Sequence, residues 1–273
     1  MVDILLSTYN GEMYLREQID SILSQTYKNW ILWIRDDGSK DNTVHIINEY
    51  CDLYPDKIRY LDDKKGNLGV LHSFEALLLS SISPYFMLCD QDDVWLPNKV
   101  ELCISQIKED ENKFGASVPI LVHTDLAVVD KNLNVISSSM FEVTQIYPEK
   151  IKSNIHLAIM ECLITGCTMV GNAKSREVSV PFKDERQIHD IQIYREVLSH
   201  GGHITTLNDK TILYRQHGNN VVGSGKKKKK LIERIKFQYE LYKIYRNYMI
   251  DSNIFIYAYW KLNYFFFRIL RRL

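Results

Sequence analysis

The chain has 273 residues, 45% hydrophobic and 25% charged, enough for one large α/β domain or one domain with a helical appendix, without disulfide staples. Its 34 Lys and Arg balance 34 Asp and Glu, so no overall basic field marks nucleic acid as a partner, and such unevenness as exists lies in the C-terminal quarter. Cys51, Cys89, Cys103, Cys162 and Cys167 are odd in number, sit mostly in apolar contexts and show no CxxC spacing, which argues for reduced, space-filling thiols in a cytosolic protein. The opening "MVDILLSTYN" lacks the basic flank and cleavage site of a signal peptide, and no apolar run is long enough to span a bilayer.

In chain order, "VDILLS" reads as a strand, residues 11–25 place Leu15, Ile19, Ile22 and Leu23 on one helical face, and "WILWIR" reads as the next strand. "SKDNTVHIINEY" brings cap-forming residues before Val44, Ile46 and Ile47 and predicts a second helix. "KIRYL" is a third strand, "VLHSFEALLLSS" a third helix and "YFMLC" a fourth strand. Strands spaced by helices predict a mostly parallel sheet covered on both faces, with ligands at the carboxyl ends of the strands. Three polar clusters fall at those ends, "STYNG", "RDDGSKDN" and "DQDDVW", and are expected to converge on one crevice.

"CDQDDVWLP" ends a buried strand with Asp90, Asp92 and Asp93 inside four positions. Carboxylates held about 4 Å apart repel by several kcal/mol at a protein-like dielectric, so the cluster needs protons or a cation. Asp90 and Asp92 suit an oxygen-liking Mg²⁺ or Mn²⁺ with coordination sites left for phosphates. Any one of these aspartates is also an ordinary turn or cap residue, and an EF-hand is excluded by the missing glycine and terminal glutamate. In "RDDGSKDN", Asp36, Asp37, Gly38 and Ser39 are good turn formers, yet an acid ending the second strand is also placed to meet a ribose or base. Neither GxGxxG nor GxxxxGK occurs in this half, which removes the main support for a Rossmann site or a P-loop.

"LLSTYNGEMYLREQIDSILSQTY", "WIRDDGSKDNT", "GNLGV" and "CDQDDVWLPNKV", in that order, resemble the nucleotide-sugar domain of family 2 glycosyltransferases. That resemblance implies a GT-A fold, inversion at the anomeric carbon and a divalent metal. Further along, "TGCTMVGN", "HDIQIY" and "LYRQHGNNVVG" resemble rhamnosyltransferase-like members that build bacterial surface polysaccharides. Carried onto this chain, the pattern places Ser7, Tyr9 and Asn10 at the nucleotide, with the Tyr9 ring against the base. Asp37 would accept from a pyrimidine N3–H, and Asn67 and Gly69 would lie beside the nucleoside. Asp90 and Asp92 match the DxD motif, with Asp92 the first choice as direct metal ligand.

Inverting transfer needs a base for the acceptor hydroxyl, and the resemblance assigns it to Asp190 in "QIHDIQIY". Asp190 also heads an expected helix over 191–198, where a carboxylate is an ordinary cap. His217 in "YRQHGNN" is a candidate further metal ligand, and Arg215, His189, Asp93 and Trp95 are candidates for phosphate or acceptor contacts or for shaping the loop.

The domain reading is a glycosyltransferase domain over 1–222 and a basic, aromatic helical extension over 223–273. In the latter, "GSGKKKKK" precedes two segments in which aromatics and aliphatics interleave with Lys and Arg, a pattern suited to an anionic membrane surface. Lys261 and Asn263 argue against a spanning helix. The expected activity is transfer of one sugar from a nucleotide-sugar donor, dTDP-rhamnose or a UDP-sugar, to a saccharide or lipid-linked acceptor. The expected place is the cytoplasm, at the inner face of the membrane. Two alternatives belong to other classes: a sugar-nucleotide nucleotidyltransferase, weakened by the lack of a Gly-rich basic loop near the N-terminus, and a non-catalytic glycan- or membrane-binding protein with a decayed site, weakened by the presence of all four key carboxylates.

Overall fold

The structure is a computed structural model that describes residues 1–144, 148, 154–161, 164–217, 231–249 and 253–270. The chain forms two compact units, one from Met1–Ile146 with Ile164–Gln216, the other from Tyr147–Leu163 with His217–Leu273.

The first unit opens as the apolar periodicity predicts. β1 (Val2–Thr8) is buried along nearly its whole length, because helices cover both faces of the sheet and leave no strand position facing water. α1 (Leu15–Leu23) buries Leu15, Ile19 and Ile22 at the i, i+4, i+7 spacing. β2 (Trp30–Asp36), α2 (Thr43–Leu53), β3 (Ile58–Tyr60), α3 (Gly69–Ser80) and β4 (Tyr85–Cys89) follow, and β3, β2, β1 and β4 lie side by side and parallel in that order. Parallel pairing puts the carboxyl ends of β1, β2 and β4 on one edge, which is what gathers the three polar clusters.

The rest of this unit is β5 (Val94–Trp95), α4 (Lys99–Phe114), β6 (Ile120–Val129), β7 (Val135–Ser137), α5 (Met140–Thr144), a 3₁₀ turn at Gly166–Thr168, β8 (Met169–Asn172), α7 (Ala173–Ser179), α8 (His189–Ser199) and β9 (His203–Arg215). α6 (Ile155–Met160), between them in sequence, belongs to the second unit. The sheet continues from β4 through β8, β6 and β9 to β5, with β7 paired to β6. β8 runs antiparallel to both β4 and β6, and β9 runs parallel to β6 as far as Arg215 while its Ile212 and Leu213 also pair antiparallel with β5. The sheet is therefore mixed, with a wholly parallel half from β3 to β4.

Among the described residues four cysteines are free, three of them buried; burial raises their thiols, and at Cys89 and Cys167 the charges of Asp90 and Asp93 add to it. Cys162 lies outside the described residues. In the second unit α9 (Leu231–Tyr248) and α10 (Ile254–Leu270) accompany α6 and bury Ile244, Tyr245, Tyr257 and Tyr264. The His156 Nδ1 lies 2.5 Å from the Tyr245 hydroxyl, and its ring stacks on Trp260. No described helix is long and apolar enough to cross a membrane. The segment "GSGKKKKK" lies outside the described residues.

Candidate active site

The loops after β1, β2 and β4 are tied into one surface. Asp37 donates its N–H to the Thr8 carbonyl at 2.8 Å, and Asn10 donates its own to Ser39 Oγ at 2.8 Å while accepting from Lys40 N at 2.9 Å. Gln91 reaches back from the acidic loop: its Oε1 accepts from Thr8 Oγ1 at 2.6 Å and from Tyr9 N at 2.8 Å. Tyr9 is exposed on this surface, and Ser7 pairs with Ser73 of α3 through their hydroxyls at 2.6 Å. The expected convergence of the three clusters is therefore met by named hydrogen bonds.

Asp37 is buried, and its carboxylate organises the loop into α3. Oδ1 accepts from Leu68 N at 2.7 Å and from the Arg35 guanidinium at 2.6 Å, while Oδ2 accepts from Gly69 N at 2.9 Å. An ionised carboxylate has about four acceptor positions, so Oδ2 retains one. Asn67 closes the arrangement by donating to the Asp37 carbonyl at 2.8 Å. Gly69 adopts φ +76, a left-handed conformation that glycine takes without strain.

Sequence reading passed over Arg35, which the fold makes central. Its side chain is fully buried and also meets Asp63 at 3.0 Å, the Gly66 carbonyl at 2.9 Å and Ser73 Oγ at 3.2 Å. Burial works against its charge, and the hydrogen bonds to Asp63 and Asp37 outweigh that cost. The available signal was a charged residue in the last turns of an otherwise apolar strand, followed at once by two aspartates.

On the opposite side lies the acidic loop. A carboxylate oxygen of Asp90, one of Asp93 and the Cys167 sulfur lie within 4.8 Å of one another. Burial, reinforced by the charges of Asp92 and then Asp190, pushes the half-buried Asp90 carboxyl up to about 7, against a hydrogen bond from the Cys167 thiol. Asp93 is fully buried; Oδ1 accepts from Arg215 N at 3.0 Å, while Oδ2 is buried without a hydrogen-bond partner. Tyr214, half-buried beside these acids, is kept protonated first by burial and then by their charges. It too went unnoticed in the sequence, as did Cys167.

Asp190 stands in the first turn of α8, as expected, and is tied to the turn before β8: Gly166 N donates to its Oδ2 at 3.1 Å and Ile191 N to its Oδ1 at 2.7 Å. The next residue after Gly166 is Cys167, so one short turn connects Asp190 to the acidic loop. His189 is buried against the Phe74 ring, centroids 4.0 Å apart, and burial lowers its tendency to protonate.

Two of the candidate ligand contacts are buried within the protein. Arg215 is buried, and its guanidinium donates to the Asp92 carbonyl at 2.8 Å, the Lys131 carbonyl at 2.7 Å and Glu17 Oε2 at 2.5 Å. These contacts make it a brace for the acidic loop, because the β5–β9 pairing brings strand β9 directly alongside. Trp95 is 1% exposed, with the buried Lys99 ammonium 4.7 Å from its ring centroid, so it belongs to the core and not to the cleft. His189 and Asp93 are also buried. His217 belongs to the second unit.

A parallel half-sheet ending in a hydrogen-bonded nucleotide-side surface, joined to an acidic loop at the next strand, is the architecture of the GT-A fold. The same fold is found in S. aureus TarS 1–349 in complex with UDP-GlcNAc, with a TM-score of 0.62 at 17% identity over 93% of this chain and 67% of that one. It is also found in the mannosyltransferase PcManGT of Pyrobaculum calidifontis in complex with GDP-Man and Mn²⁺, with a TM-score of 0.60 at 14% identity over 92% and 65% of the two chains. Residues 3–156 match the family "Glycosyl transferase family 2", and the chain belongs to that family.

Among curated relatives, an uncharacterized glycosyltransferase of Rickettsia prowazekii (strain Madrid E) is 35% identical over 173 residues, 62% of this chain and 49% of its own. Another, of Haemophilus influenzae, is 27% identical over 80% of this chain and 66% of its own. The Escherichia coli protein WfgD, named a UDP-Glc:alpha-D-GlcNAc-diphosphoundecaprenol beta-1,3-glucosyltransferase, is 34% identical over 42% of this chain and 44% of its own. The chain spans about half the length of the Rickettsia relative.

Proposed function

We propose that the chain transfers one sugar, with inversion, from a nucleoside-diphosphate sugar to a saccharide or lipid-linked saccharide in bacterial surface polysaccharide assembly. The observation that carries this reading is the joining of Asp190 to the acidic loop through the Gly166–Cys167 turn, with Asp190 close enough for its charge to raise Asp90. Asp190 beside the acidic loop supports a proton acceptor close to the diphosphate, which a single displacement requires.

The donor nucleotide is assigned to the surface of Ser7, Tyr9, Asn10, Asp37, Asn67 and Gly69. The free acceptor position on Asp37 Oδ2 suits the N3–H of uracil or thymine, which favours a UDP-sugar or dTDP-rhamnose. The UDP-GlcNAc held by TarS supports the first of these. The name of the WfgD relative supports a lipid-linked acceptor.

The crowded carboxylates, together with the unpartnered Asp93 Oδ2, fit a divalent cation, and the Mn²⁺ in the PcManGT complex supports that choice. Asp90, grouped with Asp93, and Asp92, matched to the DxD motif by resemblance, would hold Mn²⁺ or Mg²⁺, which when bound would offset the charge of the departing diphosphate. The residues of this chain do the remainder: Arg215 fixes the loop from behind, Gly166 N and Ile191 N aim the Asp190 carboxylate, and Asp190 takes the proton of the acceptor hydroxyl.

Calorimetric titration with a panel of sugar nucleotides and nucleoside diphosphates, with Mn²⁺ and then with chelator, tests the reading. Binding of one uridine or thymidine diphosphate sugar that requires metal and is lost in Asp92→Ala is the expected result. A folded protein that binds none of the panel would overturn it.

A further inference from the structure

The neutral total charge of the chain conceals a steep asymmetry. Residues 226–273 carry thirteen Lys and Arg against three Asp and Glu, so a net charge of about +10 in this segment is balanced by an equal negative charge over 1–225. Within it, residues 252–273 carry four basic residues and no acid.

α10 shows what this charge accompanies. One side of the helix is packed, with Tyr257 and Tyr264 buried seven residues apart. The other side leaves Phe255 81% exposed and Tyr259, Leu262, Phe265 and Phe266 each more than half exposed. At 100° per residue, Phe255, Tyr259, Leu262 and Phe266 fall within a sector of about 60°, and Phe265 extends it on one flank. Scattered exposed apolar residues need no explanation, but four on one stripe of one helix form a patch. The helix itself carries no acidic residue, and Lys261 is the one charged side chain described in it.

We propose that this face of α10 rests on an anionic lipid surface, lying in its plane, with the basic residues of 226–273 supplying the electrostatic attraction. An apolar stripe alone would suit another copy of the chain equally well. The charge decides between them, because two copies would bring two strongly basic segments together, whereas anionic headgroups neutralise them. α10 is too short of apolar length to span the bilayer, so it lies on the surface. This inference rests on α10 and its charge, independent of which sugar is moved or whether any is.

The test is flotation of the full chain with vesicles of phosphatidylcholine alone and with phosphatidylglycerol added. The expected result is binding to the anionic vesicles, weakened by salt, and little to the neutral ones. Phe255→Ser/Leu262→Ser/Phe266→Ser replaces exposed residues and should keep the circular dichroism spectrum and the melting temperature, while lowering vesicle affinity by roughly a hundredfold. Replacing Lys226 to Lys230 by Gln should lower it by roughly tenfold or more and flatten the salt dependence. Equal binding to both vesicles, no binding to either, or unchanged binding by the Ser variant would overturn the proposal. A Ser variant that only converts an oligomer to monomer would assign the face to a second copy. Sugar-nucleotide binding by calorimetry in the same variants reads the transferase proposal separately, so either can fail alone.

Discussion

The backbone N–H of Gly166 donates to Asp190 Oδ2 at 3.1 Å, joining the first turn of α8 to the turn that carries Cys167 beneath the acidic loop. Residues 24 positions apart are thereby tied together. Asp190→Asn keeps a carbonyl oxygen able to accept from Gly166 but removes the proton-accepting carboxylate. Turnover should fall roughly a thousandfold or more, with donor affinity and melting temperature close to wild type. Near-normal turnover would remove Asp190 from the role of base.

Gly166 itself tolerates no side chain. An added Cβ would stand 2.9 Å from His189 Nε2 and 3.4 Å from Asp190 Cβ, and His189 cannot retreat because it is stacked on Phe74. Gly166→Ala should destabilise the fold by ~1–3 kcal/mol and displace Asp190, lowering turnover more than donor affinity. Urea unfolding and single-turnover rates measure the two effects; a variant with wild-type rates would show that the turn is free to move.

Arg35, its side chain fully buried, joins two carboxylates. Arg35→Met would leave Asp37 and Asp63 without their counter-charge, and removing one partner of a buried ion pair costs about 3–5 kcal/mol. Since Asp63 retains some exposure, the lower end is expected. The same change should abolish nucleotide binding, because the loop over Asn67 and Gly69 is held by Asp37. Chemical denaturation with and without nucleotide checks both, and a loss below about 1 kcal/mol would contradict the clamp.

His72 links α3 to the segment leading into α8: Nδ1 lies 2.8 Å from Glu75 and Nε2 3.0 Å from Glu185, while Glu75 also accepts from Phe182 N at 2.5 Å. Glu75 first, then Glu185, raise the histidine above its ordinary value of 6.5. Because the folded value exceeds the unfolded one, its stabilisation is complete below about pH 6.5 and is lost as pH rises through the folded value. Both partners are partly exposed, so the difference between wild type and His72→Gln should be a few tenths to about 1 kcal/mol in mild acid. That difference should disappear by about pH 9. A constant difference across this range would show that the imidazolium charge does not hold the segment.

Much of the site was legible along the chain. The half-sheet β3-β2-β1-β4 follows from alternating apolar runs and helical spacing, because each element buries its own face within a few residues. Asp37, Asp90 and Asp190 stood out because a carboxylate beside a buried strand or at a helix start is locally conspicuous, and their places at strand and helix ends follow from local pattern alone. What the sequence could not show depends on contacts across the chain. Arg215 and Trp95 have the chemistry of ligand contacts, yet the pairing of β5 with β9 turns one into a brace and the other into core. Arg35, Cys167 and Tyr214 have no distinctive neighbours in sequence, and only the sheet order brings them to the nucleotide loop and the acids. The tertiary structure decides these roles because burial and distant partners, such as Asp63, 28 positions from Arg35, and Glu17, 198 positions from Arg215, determine whether a polar group faces a ligand or the protein itself.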